Sequence, residues 1–407
     1  MKPKHTCCNR RSFLKAAGLA GLGSMLGPMA ESESALGAKK PAADNLPLPK
    51  RPFGRTGESV AMLSLGGMFD IPNNQLLLKQ AVRWGVTYWD TAHSYGGGNS
   101  EKGIGKYFSR FPEDRRRIFL VTKSGAWTLK GMNRHLHASL ETMQTDTIDL
   151  FFVHGINDIG EMSDDIKRWS EKMKSEGKIR FIGFSTHSNM EECLREASAL
   201  GWIDGIMMTY NYRLMHTDRM RAAVDACAKA GIGLTAMKTQ GGGQVRTHTE
   251  TELTLAGRFV QKGFTNGQAK LKAVWENPQI ASICSQMPNL SLLSANVAAA
   301  ADQTRLGETD HRLLQQYAAE TRSDYCAGCT RICGSALRQA VPVGDVMRCL
   351  MYSRSYGDHQ RARSEFQDFG PTVHRRLARL DFTEAEKRCP QGLPIGRLLR
   401  EAVDELS

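Results

Sequence analysis

Two sets of side chains in this 407-residue sequence have the types and the spacing for chemistry. The first is Asp90, Tyr95, Lys123 and His154. Reducing a carbonyl by hydride develops negative charge on its oxygen, so a proton donor must lie within hydrogen-bond reach of that atom. A phenol at pKa ~10 is a reluctant donor or base near neutral pH, and an adjacent ammonium lowers that value by favouring phenolate. Lys123 would supply the ammonium, Asp90 would hold it charged and oriented, and His154 would position the carbonyl oxygen or relay a proton. The second set is Cys326, Cys329 and Cys333, a Cys-x2-Cys-x3-Cys run joined far downstream by Cys389 before Pro390. Thiolates so spaced, with the last followed by Pro, suit a 4Fe–4S cluster of ferredoxin type. Zinc also takes four cysteines and stays open as the rival; Cys349, in a helical run, is either packing or a substitute ligand, and a simple disulfide pair is a further alternative.

The elements that must carry these residues follow from periodicity. From residue 53 to about 300, short apolar or β-branched runs alternate with amphipathic helical stretches, the pattern of repeated βα units on a parallel sheet. The candidate strands are Val60 to Leu65, Thr87 to Asp90, Ile118 to Lys123, Ile148 to His154, Ile179 to Ser185, Ile203 to Tyr210, Ile232 to Lys238 and Ile280 to Gln286. Eight units favour a closed (β/α)8 TIM barrel over an open doubly wound sheet. Asp90, Lys123, His154, Ser185, Asn211 and Lys238 all fall where strands end, so in a barrel they converge on one mouth. The turn Arg55-Thr56-Gly57 suggests a small hairpin plugging the opposite end.

The runs Asp90-Thr-Ala-His-Ser-Tyr95-Gly-Gly-Gly-Asn-Ser-Glu101, Thr122-Lys123 and Asp149-Leu-Phe-Phe-Val-His154 resemble the aldo-keto reductase family at its signature regions. The resemblance covers residues 51–300. It implies a catalytic tetrad at Asp90, Tyr95, Lys123 and His154, with Tyr95 the general acid, and a nicotinamide cofactor, NADP or NAD. For that cofactor it implies contacts around Ser185, Thr186, Met207, Lys238, Gly241 and Asn296. Here Thr186 stands where the family has Asn, and Met207 where it has Gln. The Gly241-Gly242-Gly243 turn would let backbone approach a pyrophosphate. No basic residue follows Pro288 to pair with a 2′-phosphate, a loss of ~1.5–3 kcal/mol for a charge-assisted contact. The cysteine run resembles a C-terminal extension found in some relatives of that family, with the fourth Cys displaced.

Residues 9–15 read Asn-Arg-Arg-Ser-Phe-Leu-Lys and precede a mildly apolar, Gly/Ala-rich run, closely resembling a twin-arginine export signal. Small residues before Ala38 suit a signal peptidase, and cleavage after Ala30 is the alternative. The expected organisation is a leader at 1–37, a flexible linker at 38–50, the barrel at 51–305, and a C-terminal helical segment with the ferredoxin-like site at 306–407. Such a protein would be exported to the periplasm by the twin-arginine translocation machinery, already folded around its cluster.

The bulk numbers agree with a globular chain, 41% hydrophobic and 24% charged. The formal charge is +12; residues 1–37 carry five of the 54 basic and two of the 42 acidic residues, so the remainder keeps +9. The basic residues are dispersed, apart from Arg115 to Arg117 and the stretch from Arg361 to Arg379. Without a nucleic-acid-binding motif these read as solvated helix faces, and no nucleic-acid partner is expected.

Two functions of different class follow. One is an exported oxidoreductase acting on a small carbonyl or alcohol substrate. The other is an electron-transfer or interaction protein on a reductase scaffold, its cluster serving a redox partner protein. A hydride carrier delivers two electrons where a 4Fe–4S centre normally carries one, so the cluster is either structural or a port for that partner.

Overall fold

Strands buried on both faces need continuous apolar runs, and the central segments of this chain supply them. All six residues of β6, Ile148–Val153, are buried, as are all six of β5, Phe119–Ser124. The computed structural model describes residues 48–242 and 249–407; the leader, the linker up to residue 47 and Gly243 lie outside the described residues.

A hairpin of β1 (Lys50–Pro52) and β2 (Ser59–Ala61) precedes the barrel strands. β3 (Leu63–Gly66), β4 (Tyr88–Asp90), β5, β6, β7 (Ile179–Thr186), β8 (Gly205–Thr209), β9 (Gly233–Met237) and β10 (Ile280–Gln286) close a barrel in sequence order, β10 pairing with β3. The closed eight-stranded (β/α)8 barrel is the architecture the alternation predicts. The helices between strands are α1 (Gln75–Arg83), α2 (Asn99–Arg110), α3 (Leu129–Met143), α4 (Asp164–Ser175), α5 (Met190–Leu200), α6 (Asp218–Lys229), α7 (Glu250–Gln261) and α8 (Asn266–Trp275). α9 (Leu290–Ala301) and α10 (Glu308–Glu320) follow the last strand. Their starts are set by side-chain caps: Ser163, Thr217 and Thr265 accept backbone N–H bonds two or three residues into α4, α6 and α8. In α4 the buried positions Ile166, Trp169, Ser170 and Met173 fall three and four apart, the stripe that lies against the sheet.

One expected strand divides. The run from Val60 to Leu65 bends at Met62, whose carbonyl accepts from Trp275 Nε1 and from the Ile283 N–H, both at 2.8 Å. Its first half pairs antiparallel with β1, and its second half enters the barrel. The hairpin does plug the N-terminal end. Phe53 is fully buried among Tyr88, Phe119 and Leu150, and a Cβ at Gly205 or Gly233 would collide with its ring.

Beyond α10 the chain runs through the cysteine loop into α11 (Thr330–Gly334), α12 (Val343–Arg354), α13 (His359–Gln367), α14 (Gly370–Arg379), α15 (Thr383–Arg388) and α16 (Ile395–Leu406). These helices bury a core of their own, with Val346, Leu350, Phe366, Leu377 and Leu399 at its centre. Cys326, Cys333 and Cys389 sit partly buried at the edge of that core, while Cys349 lies fully inside it. Among the described residues no helix is long and apolar enough to cross a membrane.

Candidate active site

Asp90 ends β4, Lys123 lies near the end of β5, and His154 directly follows β6, so three adjacent strands deliver three side chains to one rim. The rim is locked by backbone bonds: the Thr91 N–H donates to Val121, His93 to Lys123 and His154 to Ser124. Tyr95 reaches the same point from the loop after β4. That loop turns sharply because Gly96, Gly97 and Gly98 all take positive φ (59°, 63° and 89°), conformations that side chains with a Cβ rarely adopt.

The four residues meet. Lys123 Nζ donates to Asp90 Oδ1 and Oδ2 at 2.5 and 2.6 Å, to the Thr91 carbonyl at 2.8 Å and to the Tyr95 hydroxyl at 3.3 Å. The Tyr95 and His154 rings stand edge to face, 5.8 Å between centroids. Burial alone would discharge Lys123, but Asp90 outweighs it and the ammonium is held above the ordinary lysine value. Tyr95 is half-buried, and its pKa is raised: burial outweighs the Lys123 ammonium, opposite to the expected lowering. The phenol therefore stays protonated at neutral pH. His154 is depressed to about 3 by burial and then by the Lys123, Arg348, Lys238 and Arg361 charges, so its imidazole is neutral.

Two further mouth residues come from elsewhere in the chain. Cys284, on β10, points its Sγ at Asp90 Oδ2 (3.7 Å), and burial pushes its thiol well up. His187 follows β7 with Nδ1 3.2 Å from Thr209 Oγ1. Neither stood out in the sequence; a strand-end position was the only signal for His187.

The residues considered for a nicotinamide are largely engaged with their own chain. Ser185 Oγ accepts from the Gly155 N–H at 3.0 Å, and among the described residues its hydroxyl hydrogen meets no acceptor. Thr186 Oγ1 both donates to the Ser188 carbonyl and accepts from its N–H. Met207 is buried in the barrel core with no polar atom to offer. Lys238 Nζ donates to the Tyr352 hydroxyl at 3.0 Å, and Asn296 Nδ2 to Ser285 Oγ at 3.0 Å. A Cβ at Gly241 would strike the Tyr212 ring, and one at Gly242 would press on Tyr325. Of the amide-binding set, the residues present offer Ser185 alone.

The cysteine loop is fastened to the barrel just beyond β7. The Asn189 N–H donates to the Gly328 carbonyl at 2.8 Å, and Asn189 Oδ1 accepts from Thr330 Oγ1 at 3.2 Å and the Arg331 N–H at 3.1 Å. Gly328 has φ +79°, and a Cβ there would run into the His187 carbonyl. Asn211 Nδ2 holds the Tyr325 hydroxyl at 3.0 Å. Cys326, Cys329, Cys333 and Cys389 line one pocket with Ile332, Val343, Leu393 and Ile395. Burial, and next the neighbouring thiols, push Cys326 up to about 12 and Cys329 to about 11. Among the described residues no group of three or more His, Cys, Asp or Glu side chains is arranged to hold a single metal ion. Four soft thiol donors on one apolar pocket nevertheless match the donor set of a 4Fe–4S cluster.

Residues 63–296 match the Aldo/keto reductase family. The chain is 28% identical over 216 residues to the uncharacterized oxidoreductase YrpG of Bacillus subtilis, covering 47% of this chain and 66% of that one. It is 30% identical over 175 residues to the aldo-keto reductase yakc of Schizosaccharomyces pombe, a protein named with NADP(+), covering 39% and 49%. It thus spans between about half and about two thirds of the length of these curated relatives. The fold is also like that of the aldo-keto reductase AKR11C1 from Bacillus halodurans: TM-score 0.56 and 22% identity, covering 66% of this chain and 96% of that one.

Proposed function

The chain belongs to the aldo/keto reductase family, and from that premise we propose that it is an exported oxidoreductase interconverting a small carbonyl compound and its alcohol at Tyr95, and that it carries a 4Fe–4S cluster on Cys326, Cys329, Cys333 and Cys389. The observation that carries the reading is the contact of Lys123 Nζ with both Asp90 and the Tyr95 hydroxyl inside one barrel mouth.

In this reading the four residues divide the work. Tyr95, kept protonated by burial, donates to the oxygen that gains charge. Lys123 stays ionised beside it and stabilises the phenolate left behind, and Asp90 fixes the ammonium in place. Neutral His154, stacked edge-on to Tyr95, hydrogen-bonds the carbonyl oxygen without adding a second positive charge. A nicotinamide, NADP or NAD, supplies the hydride when bound, and Ser185 is the residue that would hold it. The name of the fission-yeast relative supports NADP.

For the cluster, support comes from the four thiols gathered on one pocket. Export rests on the Arg10-Arg11 leader, and twin-arginine transport suits a protein that takes up its cluster before crossing a membrane. The leader at 1–37, the barrel at 51–305 and the C-terminal cluster segment at 306–407 are the proposed divisions.

A second reading is favoured by one specific observation. Thr186 Oγ1 and Asn296 Nδ2 bond within the chain itself, as they would if the barrel no longer held a nucleotide. The protein would then pass electrons to a redox partner. Anaerobically purified holoprotein separates the two. The first reading expects NADPH- or NADH-dependent aldehyde reduction that Tyr95→Phe abolishes without unfolding, with about four iron and four sulfide per chain for the cluster. Turnover unchanged in that variant removes the catalytic assignment, and a colourless, zinc-loaded protein removes the cluster.

A further inference from the structure

Cations gather over the tetrad that neither carbonyl protonation nor thiolate ligation employs. Lys238, at the end of β9, has its Nζ 3.0 Å from the Tyr352 hydroxyl of α12. The Arg361 guanidinium of α13 lies over the other partner of that contact, 3.7 Å from the Tyr352 ring centre. Arg348 extends from the same helix as Tyr352, one turn earlier. All three groups act electrostatically on His154, and Arg361 and Tyr352 also act on Tyr95, so the group lies near the reacting phenol.

The carboxylates around them do not balance the charge. Arg348 pairs with Asp345 at 2.8 Å, Arg361 Nε with Glu365 at 2.7 Å, and Lys123 with Asp90. Lys238 has no carboxylate partner among the described residues, only the Tyr352 phenol, and burial and then the Arg361 and Arg348 charges hold its amine well below the ordinary lysine value, so its full charge calls for an anion beside it. Arg361 commits Nε alone; its two terminal nitrogens make no hydrogen bond among the described residues. A half-buried cation without a counter-charge is unfavourable unless an anion joins it, and a guanidinium with free terminal N–H groups offers the forked geometry carboxylates take.

We propose that Lys238, Arg361 and Arg348 bind an anionic group, a carboxylate or phosphate ester, carried by the substrate, so that the barrel acts on acidic aldehydes or ketones and their alcohols. The proposal deepens the oxidoreductase reading and rests on it. A nucleotide phosphate is the other source of such an anion. It is separated from a hydride-bearing ring by a sugar, whereas these cations act on Tyr95 and His154 at the reacting end.

The test compares 4-carboxybenzaldehyde with 4-formylbenzamide, which has the same outline and no charge, on the holoprotein at low salt. The expected result is a kcat/KM at least tenfold higher for the acid, carried by KM and eroded by salt. The acid-to-amide ratio should fall about tenfold in Arg361→Gln and again in Arg348→Gln, two variants so that misfolding of one does not decide the matter. Benzoate binding by calorimetry gives a readout without turnover. Reduction of the amide with no preference for the acid, and no benzoate binding, overturns the anion site and leaves the reductase standing. Benzoate binding that Arg361→Gln weakens, with neither aldehyde reduced, keeps the site and removes the reductase. A variant that raises KM for NADPH while leaving the acid-to-amide ratio intact assigns the cations to the nucleotide and overturns the proposal.

Discussion

The tetrad and the cysteine pocket are built in opposite ways. The tetrad comes from three consecutive strands and the loop between two of them, and its charges are already paired: Lys123 has Asp90, a backbone carbonyl and a phenol around it. The four thiols come from segments 55 residues apart and line an apolar pocket, where burial, and next the neighbouring thiols, push Cys326, Cys329 and Cys333 up. One site is complete in its own atoms; the other gathers thiols that, under the proposed reading, a metal would bring to their charged form. The fold alone makes the first, whereas a ligand would have to complete the second.

The largest expected effects test that independence. Tyr95→Phe should lower kcat by ~10²–10⁴-fold, with melting temperature and iron content as in the parent protein. Cys389→Ser should do the reverse, dropping iron to under half and melting earlier, because a metal closing the long loop no longer restrains the unfolded chain. Steady-state kinetics and iron analysis on both variants read this directly. If Cys389→Ser leaves iron and stability untouched, the pocket is ordinary core and the contrast collapses.

Next in size is a pH effect confined to the barrel mouth. His154 is held at about 3 in the folded protein by burial and the surrounding cations, against about 6.5 in an unfolded chain. Between those values the unfolded chain takes up a proton that the folded one refuses, so stability is present above pH 6.5 and is lost as pH falls toward 3. His154→Gln should reduce the loss between pH 6.5 and 5 by about 1.6 kcal/mol, measured by urea unfolding at both pH values. His187 and His216 shift in the same direction, so a residual slope should remain. An unchanged slope in the variant would mean that the mouth is wetter than its packing implies.

Much of this was legible in the sequence, for identifiable reasons. The eight strands announce themselves because parallel strands need unbroken apolar runs, and the tetrad because its residues sit where those runs stop. Val60 to Leu65 misleads because one apolar run serves two partners, and only the Trp275 and Ile283 contacts at Met62 reveal the bend. Arg348 and Arg361 were invisible as mouth residues. They sit on helices more than 190 residues beyond His154, and the basic stretch from Arg361 reads as a solvated face until α13 is laid over Tyr352. The raised pKa of Tyr95 was likewise out of reach, since it depends on how deeply the fold buries the phenol and not on which residues are neighbours in the chain.

The smallest effect concerns the join between the two regions. Asn189 has φ +48°, a conformation that costs most side chains something, and it answers two donors of the cysteine loop through one oxygen while its amide holds the Asn157 carbonyl. Asn189→Gly keeps the backbone at ease and removes only the side-chain bonds, so it isolates their contribution, about 1–2 kcal/mol less the strain relieved. Asn189→Ala removes the bonds and keeps the strain, and should be the worse of the two. Both should leave the Tyr95-dependent turnover within a few-fold and speed iron release to a chelator, because the loop carrying Cys326, Cys329 and Cys333 loses its anchor on the barrel. Equal release from parent and both variants would mean that Arg331 and the Asn211–Tyr325 contact hold the loop unaided, and that the two regions are joined there and not at Asn189.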